Sequence, residues 1–146
     1  MLFRSLALSS VAAAAEFVER EPNNRAGVYA RHRIWGFENL LGRTMWEFTG
    51  DPDEPRFLIV AEAGHERRTP DPPRLVPPSE VEEELRERLI LYGLLAEPES
   101  GEIVGVAIAL QARDKDAALE LVRDETQGFA VFPDVEVHDW EFGGRR

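Results

Sequence analysis

An α+β fold follows from the order of apolar runs along the last ninety or so residues of this 146-residue chain. Phe57-Leu-Ile-Val-Ala61 is a short, wholly apolar run with the length of a buried strand, and Ser79 to Tyr92 carries apolar residues at helical spacing. Ile103 to Leu110 then reads as a strand, Lys115 to Glu125 as a helix, and Val135-Glu-Val-His-Asp-Trp-Glu-Phe142 as a closing strand. With Leu94-Leu95-Ala96 opening a further strand, the order is strand, helix, strand, strand, helix, strand. That is the ferredoxin-like βαββαβ plan.

The first strand is preceded by Gly50-Asp51-Pro52-Asp53-Glu54-Pro55, a dense cluster of turn formers. The cluster divides residues 1–55, an N-terminal extension expected to be mostly helical, from a domain spanning 56–146. Within the extension, Met1 to Ala15 has an early positive charge and small residues, as a leader peptide does, but serines interrupt its apolar stretch. The expectation is an alanine-rich helix running on through Phe17-Val18-Glu19-Arg20. Further on, Ile34-Trp-Gly-Phe-Glu-Asn-Leu-Leu41 and Met45-Trp46-Glu47-Phe48 concentrate aromatics that must bury their rings. Packing on the domain's own surface or across a dimer contact is the expectation, with a ligand-binding lid as the alternative.

Thr69 to Pro78 follows the first strand, and five of these ten residues are proline. Prolines remove backbone donors and favour extended chain, so this connection runs over the surface. Ser79 and Glu82 have the spacing of a capping box for the first helix. Val81, Leu85, Leu89 and Tyr92 form its apolar stripe, Glu82 with Arg86 and Glu84 with Arg88 pair one turn apart, and Gly93 ends it. Pro98-Glu99-Ser100-Gly101 turns the chain into the third strand. Asp114 is placed to cap the second helix, whose Ala117, Ala118, Leu121 and Val122 face a sheet.

Composition narrows the function classes. A net charge of -11 opposes duplex nucleic acid and anionic membrane surfaces as main partners, since both are polyanions. No apolar run is long enough to cross a bilayer, and the expected location is the cytoplasm. The absence of cysteine removes disulfides, thiolate metal sites and a cysteine nucleophile together. No glycine-rich phosphate loop and no helical His-x-x-x-His spacing occur, so no nucleotide, metal or other cofactor is expected.

Of the three histidines, His32, His65 and His138, the last is placed most informatively. Strand alternation puts Glu136, His138, Trp140 and Phe142 on one face and Val135 and Val137 on the other. The valines suit the helix side, which leaves His138 and Trp140 on the open face. In this topology the last strand lies antiparallel beside the first, bringing Glu62 toward Glu136 or His138. A carboxylate beside an imidazole is a competent general-base pair. The open face, with Trp140 and Phe142 on it, also predicts a homodimer, because apolar area would otherwise remain in water.

From Arg56 onward the chain resembles the YCII-related proteins, small ferredoxin-like subunits similar to dimeric α+β barrels. The resemblance is carried by Gly93-Leu94-Leu95, Gly105-Val106-Ala107-Ile108, Asp124 ahead of Gly128-Phe129, Val135-Glu-Val-His-Asp-Trp140, and Phe142-Gly143-Gly144-Arg145. It implies a homodimer enclosing a small-molecule cavity, with Asp124 at the family's acidic position, and some members are similar to enzymes acting on ring-opened or chlorinated aromatics. The family's histidine at the start of the first helix is missing here, where Pro77-Pro78-Ser79-Glu80-Val81 stands in its place. His65, in the loop after the first strand, is the candidate to stand in its place, the other reading being a solvated loop residue. Arg67, next to Arg68, is the candidate for an anionic ligand group, through charge-assisted hydrogen bonds.

Two functions stay open. One is a small-molecule binding protein in which the missing histidine has removed catalysis. The other is a metal-independent lyase, isomerase or dehalogenase using His138, or failing that His65, with Glu62 or Asp124. A purely structural module is the third class.

Overall fold

The computed structural model describes residues 35–62, 75–123 and 134–141. Among these residues the protein is α+β, with one antiparallel sheet of five strands and two α-helices. The strands are β1 (Gly36–Asn39), β2 (Arg56–Glu62), β3 (Leu89–Ala96), β4 (Ile103–Gln111) and β5 (Asp134–Asp139), in the spatial order β1-β3-β4-β2-β5. Helix α1 (Glu83–Arg88) links β2 to β3, and helix α2 (Lys115–Arg123) links β4 to β5. Each of these two crossovers skips one strand, and the strand skipped belongs to the other unit. As expected, β5 runs antiparallel beside β2.

Burial explains why β2 is apolar without alternation. It lies between β4 and β5, and Phe57 to Ala61 are all buried, so neither face of the strand meets water. Phe57 and Ile59 face the helices, where they join Val81 and Leu85 from around α1, Leu89, Tyr92, Ile108 and Leu110 from the sheet, and Ala118 and Val122 from α2. Each Val, Leu, Ile and Phe among these contributes on the order of 1.5–3 kcal/mol by leaving water. Leu58 and Val60 face the opposite side, with Leu91, Leu95, Ala107 and Ala109.

The second helix agrees with its sequence pattern. Asp114 Oδ1 accepts a hydrogen bond of 2.8 Å from the Ala117 amide, and that bond holds its carboxyl below the ordinary value of 3.8. Ala118 and Val122 are buried, while Ala117 and Leu121 are half-buried against the same core. The turn at Pro98 to Gly101 also forms, closed by the Glu97 amide on the Glu102 carbonyl at 2.8 Å, with Gly101 at φ +71.

The first helix does not. It spans six residues, and the chain enters β3 at Leu89, so the strand begins well before Leu94. As a helix, Leu89-Ile90-Leu91-Tyr92 would turn Ile90 and Leu91 toward the wet side. In β3, which is paired with both β1 and β4, all four are buried. A register shift between Leu89 and Leu91 accommodates Ile90 as a bulge. Gly93 is therefore not a helix terminator. It sits inside β3 where the Glu38 carbonyl approaches so closely that a Cβ has no room. The Ser79–Glu82 capping box is also absent, because Ser79 lies within a 3₁₀ turn at Pro78–Glu80 and Glu82 is itself the N-cap, without a side-chain bond. Of the two expected ion pairs Glu84–Arg88 forms, at 4.0 Å, whereas Arg86 donates instead to the Val81 carbonyl at 2.7 Å.

Residues 35–55 also differ from the expected helix. Gly36–Asn39 is a strand added to the edge of the sheet, and Met45–Glu47 is a 3₁₀ turn closed by a Thr44–Glu47 capping box. The alanine-rich start lies outside the described residues.

Candidate functional site

Strand β5 positions the candidate residues. Val137 packs with the helix-side core, as alternation requires, while Glu136 and His138 stand opposite Val60 and Leu58 of β2 on the other face. His138 Nε2 donates to Glu136 Oε2 at 3.1 Å, and their side chains are 25% and 52% exposed. Trp140 continues the same edge, tied by its amide to the Arg56 carbonyl at 3.0 Å, and its ring packs on the non-helical core. Because the carboxylate accepts from Nε2, the neutral ring is held with its proton on that nitrogen.

Glu62 does not reach His138. It lies opposite Asp134 at the far end of the β2–β5 ladder, four residues from Leu58, the partner of His138. Four residues of strand span about 13 Å. The expected pairing is thus corrected: the carboxylate beside the imidazole comes from Glu136, two residues away on the same strand. The spacing itself carried that signal, since residues two apart share a face. His65, Arg67, Asp124 and Phe142 lie outside the described residues.

Trp35, Phe37, Met45 and Phe48 complete this face. They pack with Trp140 over Leu58, Val60, Leu91, Leu95, Ala107 and Ala109, all of which are buried. Trp35, Phe37 and Phe48 are therefore half-buried on the domain's own surface, whereas the Trp46 ring stays exposed. This segment also covers the sheet face on which a dimer contact was expected. Its fixing points were not legible in the sequence. The Arg43 guanidinium donates to the Arg86 and Leu89 carbonyls at 3.1 and 2.7 Å, where α1 ends and its dipole is negative. Asn39 Nδ2 donates to the Arg43 carbonyl at 2.8 Å and orders the intervening loop.

A carboxylate–imidazole pair on a strand can hold or move a proton on a ligand within hydrogen-bond reach. Among the described residues no three His, Cys, Asp or Glu side chains converge as metal ligands, and no helix is long and apolar enough to cross a membrane. Comparison with protein-family models, with curated proteins and with solved structures gave no match.

Proposed function

We propose that this chain is a small-molecule binding protein of the YCII-related type, built on a ferredoxin-like βαββαβ core and acting in the cytoplasm as a homodimer without a cofactor. The core is supported by the spatial order β3-β4-β2-β5 and by the two interleaved crossovers. The observation that carries the binding reading is the Glu136–His138 pair beside Trp140, set on a strand at the rim of an aromatic layer. A ligand of matching chemistry has an apolar body for the rings and one polar group for the pair. A metabolite screen read by thermal shift tests this. The expected hit loses its effect on His138→Ala, and a hit indifferent to both His138→Ala and Trp140→Ala removes the site.

The pair also favours a second reading, a metal-independent lyase, isomerase or dehalogenase with His138 as its acid/base group and Glu136 orienting the ring. In that case His138→Ala abolishes turnover of the screened compound while the fold persists, and His65→Ala costs much less. Ring nitrogen shifts check the pair before any substrate is known. Glu136→Gln is expected to move the His138 ring signals and Glu62→Gln to leave them in place. The dimer rests on the resemblance alone, since residues 35–48 and Trp140 occupy the sheet face first assigned to it, and sedimentation at micromolar concentration tests it: a sole monomer removes it.

A further inference from the structure

Residues 36–48 wrap the β3 edge of the sheet. Phe37 packs on the non-helical face, Leu40 and Leu41 cross to the helix-side core, and Met45 and Phe48 return to the first face. This segment covers residues at most 9% exposed, yet every one of its own side chains is half-buried or exposed. Its only strand has four residues and pairs along one side with β3. Beyond that ladder it is tied down by the Leu40 amide on the Tyr92 carbonyl, by the Asn39 side chain, and by the Arg43 guanidinium on the end of α1. A short edge strand without buried side chains is the part of a fold that opens first, ahead of global unfolding.

We propose that residues 36–48 are a displaceable strap, latched by Arg43, which lifts from the sheet while β2, β4 and β5 remain paired. Release uncovers part of an apolar floor formed by Leu91 and Leu95 of β3 and Ala107 and Ala109 of β4, on which Trp35 and Trp140 also pack, on the sheet face that carries the Glu136–His138 pair. Access to the site is then set by the strap equilibrium, and Arg43 is a positioning residue that acts through it. The identity of what enters rests on the binding reading above, whereas the motion of the strap does not.

Amide hydrogen exchange of the full chain, without any ligand, tests the proposal. The Leu40 amide and those of β1 are expected to exchange at least about a hundredfold faster than the slowest amides of the β2–β4 ladder. Arg43→Met keeps the aliphatic stem and removes two charged hydrogen bonds, so it is expected to speed strap exchange about tenfold or more. The β2–β4 amides keep their rates. Equal protection of strap and core, or an equal acceleration of both in the variant, overturns the strap, since either means that it leaves only with the whole fold. The dye 8-anilinonaphthalene-1-sulfonate reports the uncovered floor: its emission is expected to rise severalfold with Arg43→Met, and unchanged emission overturns the uncovering. A metabolite screen without hits, by contrast, counts against the binding reading and leaves the exchange result standing.

Discussion

Asp114 and Gln111 show how single side chains hold segments in place, and only one of them was readable beforehand. The Asp114 carboxyl is held below its ordinary value of 3.8 chiefly by the Ala117 amide, so its contribution to stability is complete above that value. It is lost as pH falls through the lowered folded value. Asp114→Asn keeps an acceptor for the amide but no longer titrates there, and urea midpoints followed down the acid limb are expected to fall less steeply for the variant. Gln111 is 2% exposed, and its Nε2 donates to the Asp51 carbonyl and, at 3.4 Å, to that of Glu54. It thereby fastens the Gly50–Pro55 turn to the end of β4, together with Arg88, which meets the Glu54 carboxylate at 2.7 Å. Gln111→Leu deprives these carbonyls of their donor, for an expected loss of about 1–2 kcal/mol in chemical denaturation. Asp114 was legible because an N-cap is local chemistry, three residues long. A polar residue at the end of an apolar strand has no local signature, since its partners arrive from a turn far back in the chain. The Glu136–His138 pair lies between these cases: alternation gave the face, but only the register shows that Glu62 is too distant.

At the level of elements, β2, β4, α2 and β5 lie where the apolar pattern placed them, and α1 with β3 shows why the remainder was harder. The stripe Val81, Leu85, Leu89 and Tyr92 does form one side of a core, but its first two members belong to the region of a short helix and the last two to a strand. A helical stripe and a strand buried on both faces both supply apolar residues at those positions, so periodicity alone did not separate them. Length and flanking context decide, and here the decisive partner was β1, a strand of only four residues with two polar members. Leu85 is the buried residue of α1, and Leu85→Ala is expected to cost about 2–5 kcal/mol in urea titration. Gly93→Ala tests the strand assignment directly. Its added methyl meets the Glu38 carbonyl, so an expected loss of about 1–3 kcal/mol accompanies weakened β1–β3 pairing. Loss of the β1–β3 pairing is the readout, since a glycine that ended a helix at positive φ would resist the same change without loosening that ladder.

On the scale of the whole molecule, the sheet is a shared middle layer, with helices on one side and, on the other, aromatic side chains drawn from before β2 and after β5. Residues 35–48 are thus part of the sheet's packing. Among the described residues the strand order also determines which backbone lies at the edges of the sheet. The most apolar strands occupy the interior, while the two borders fall to β1, with exposed Glu38, and to β5, with exposed Glu136 and Asp139. Borders of a sheet carry unsatisfied amides and carbonyls that invite ribbon-like growth from copy to copy, and like charges along them oppose it. This chain bears a net charge of -11, so at neutral pH two borders approach each other against mutual repulsion. Near its isoelectric point of about 4.7 that repulsion fades, and light scattering is expected to rise there and to fall again on return to neutrality. Glu136→Lys with Asp139→Lys leaves a local attraction toward the acidic β1 border, and such a variant is expected to scatter already at neutral pH. The carboxylate that orients the imidazole is then also one of the charges that keep neighbouring copies of the chain apart in a crowded solution.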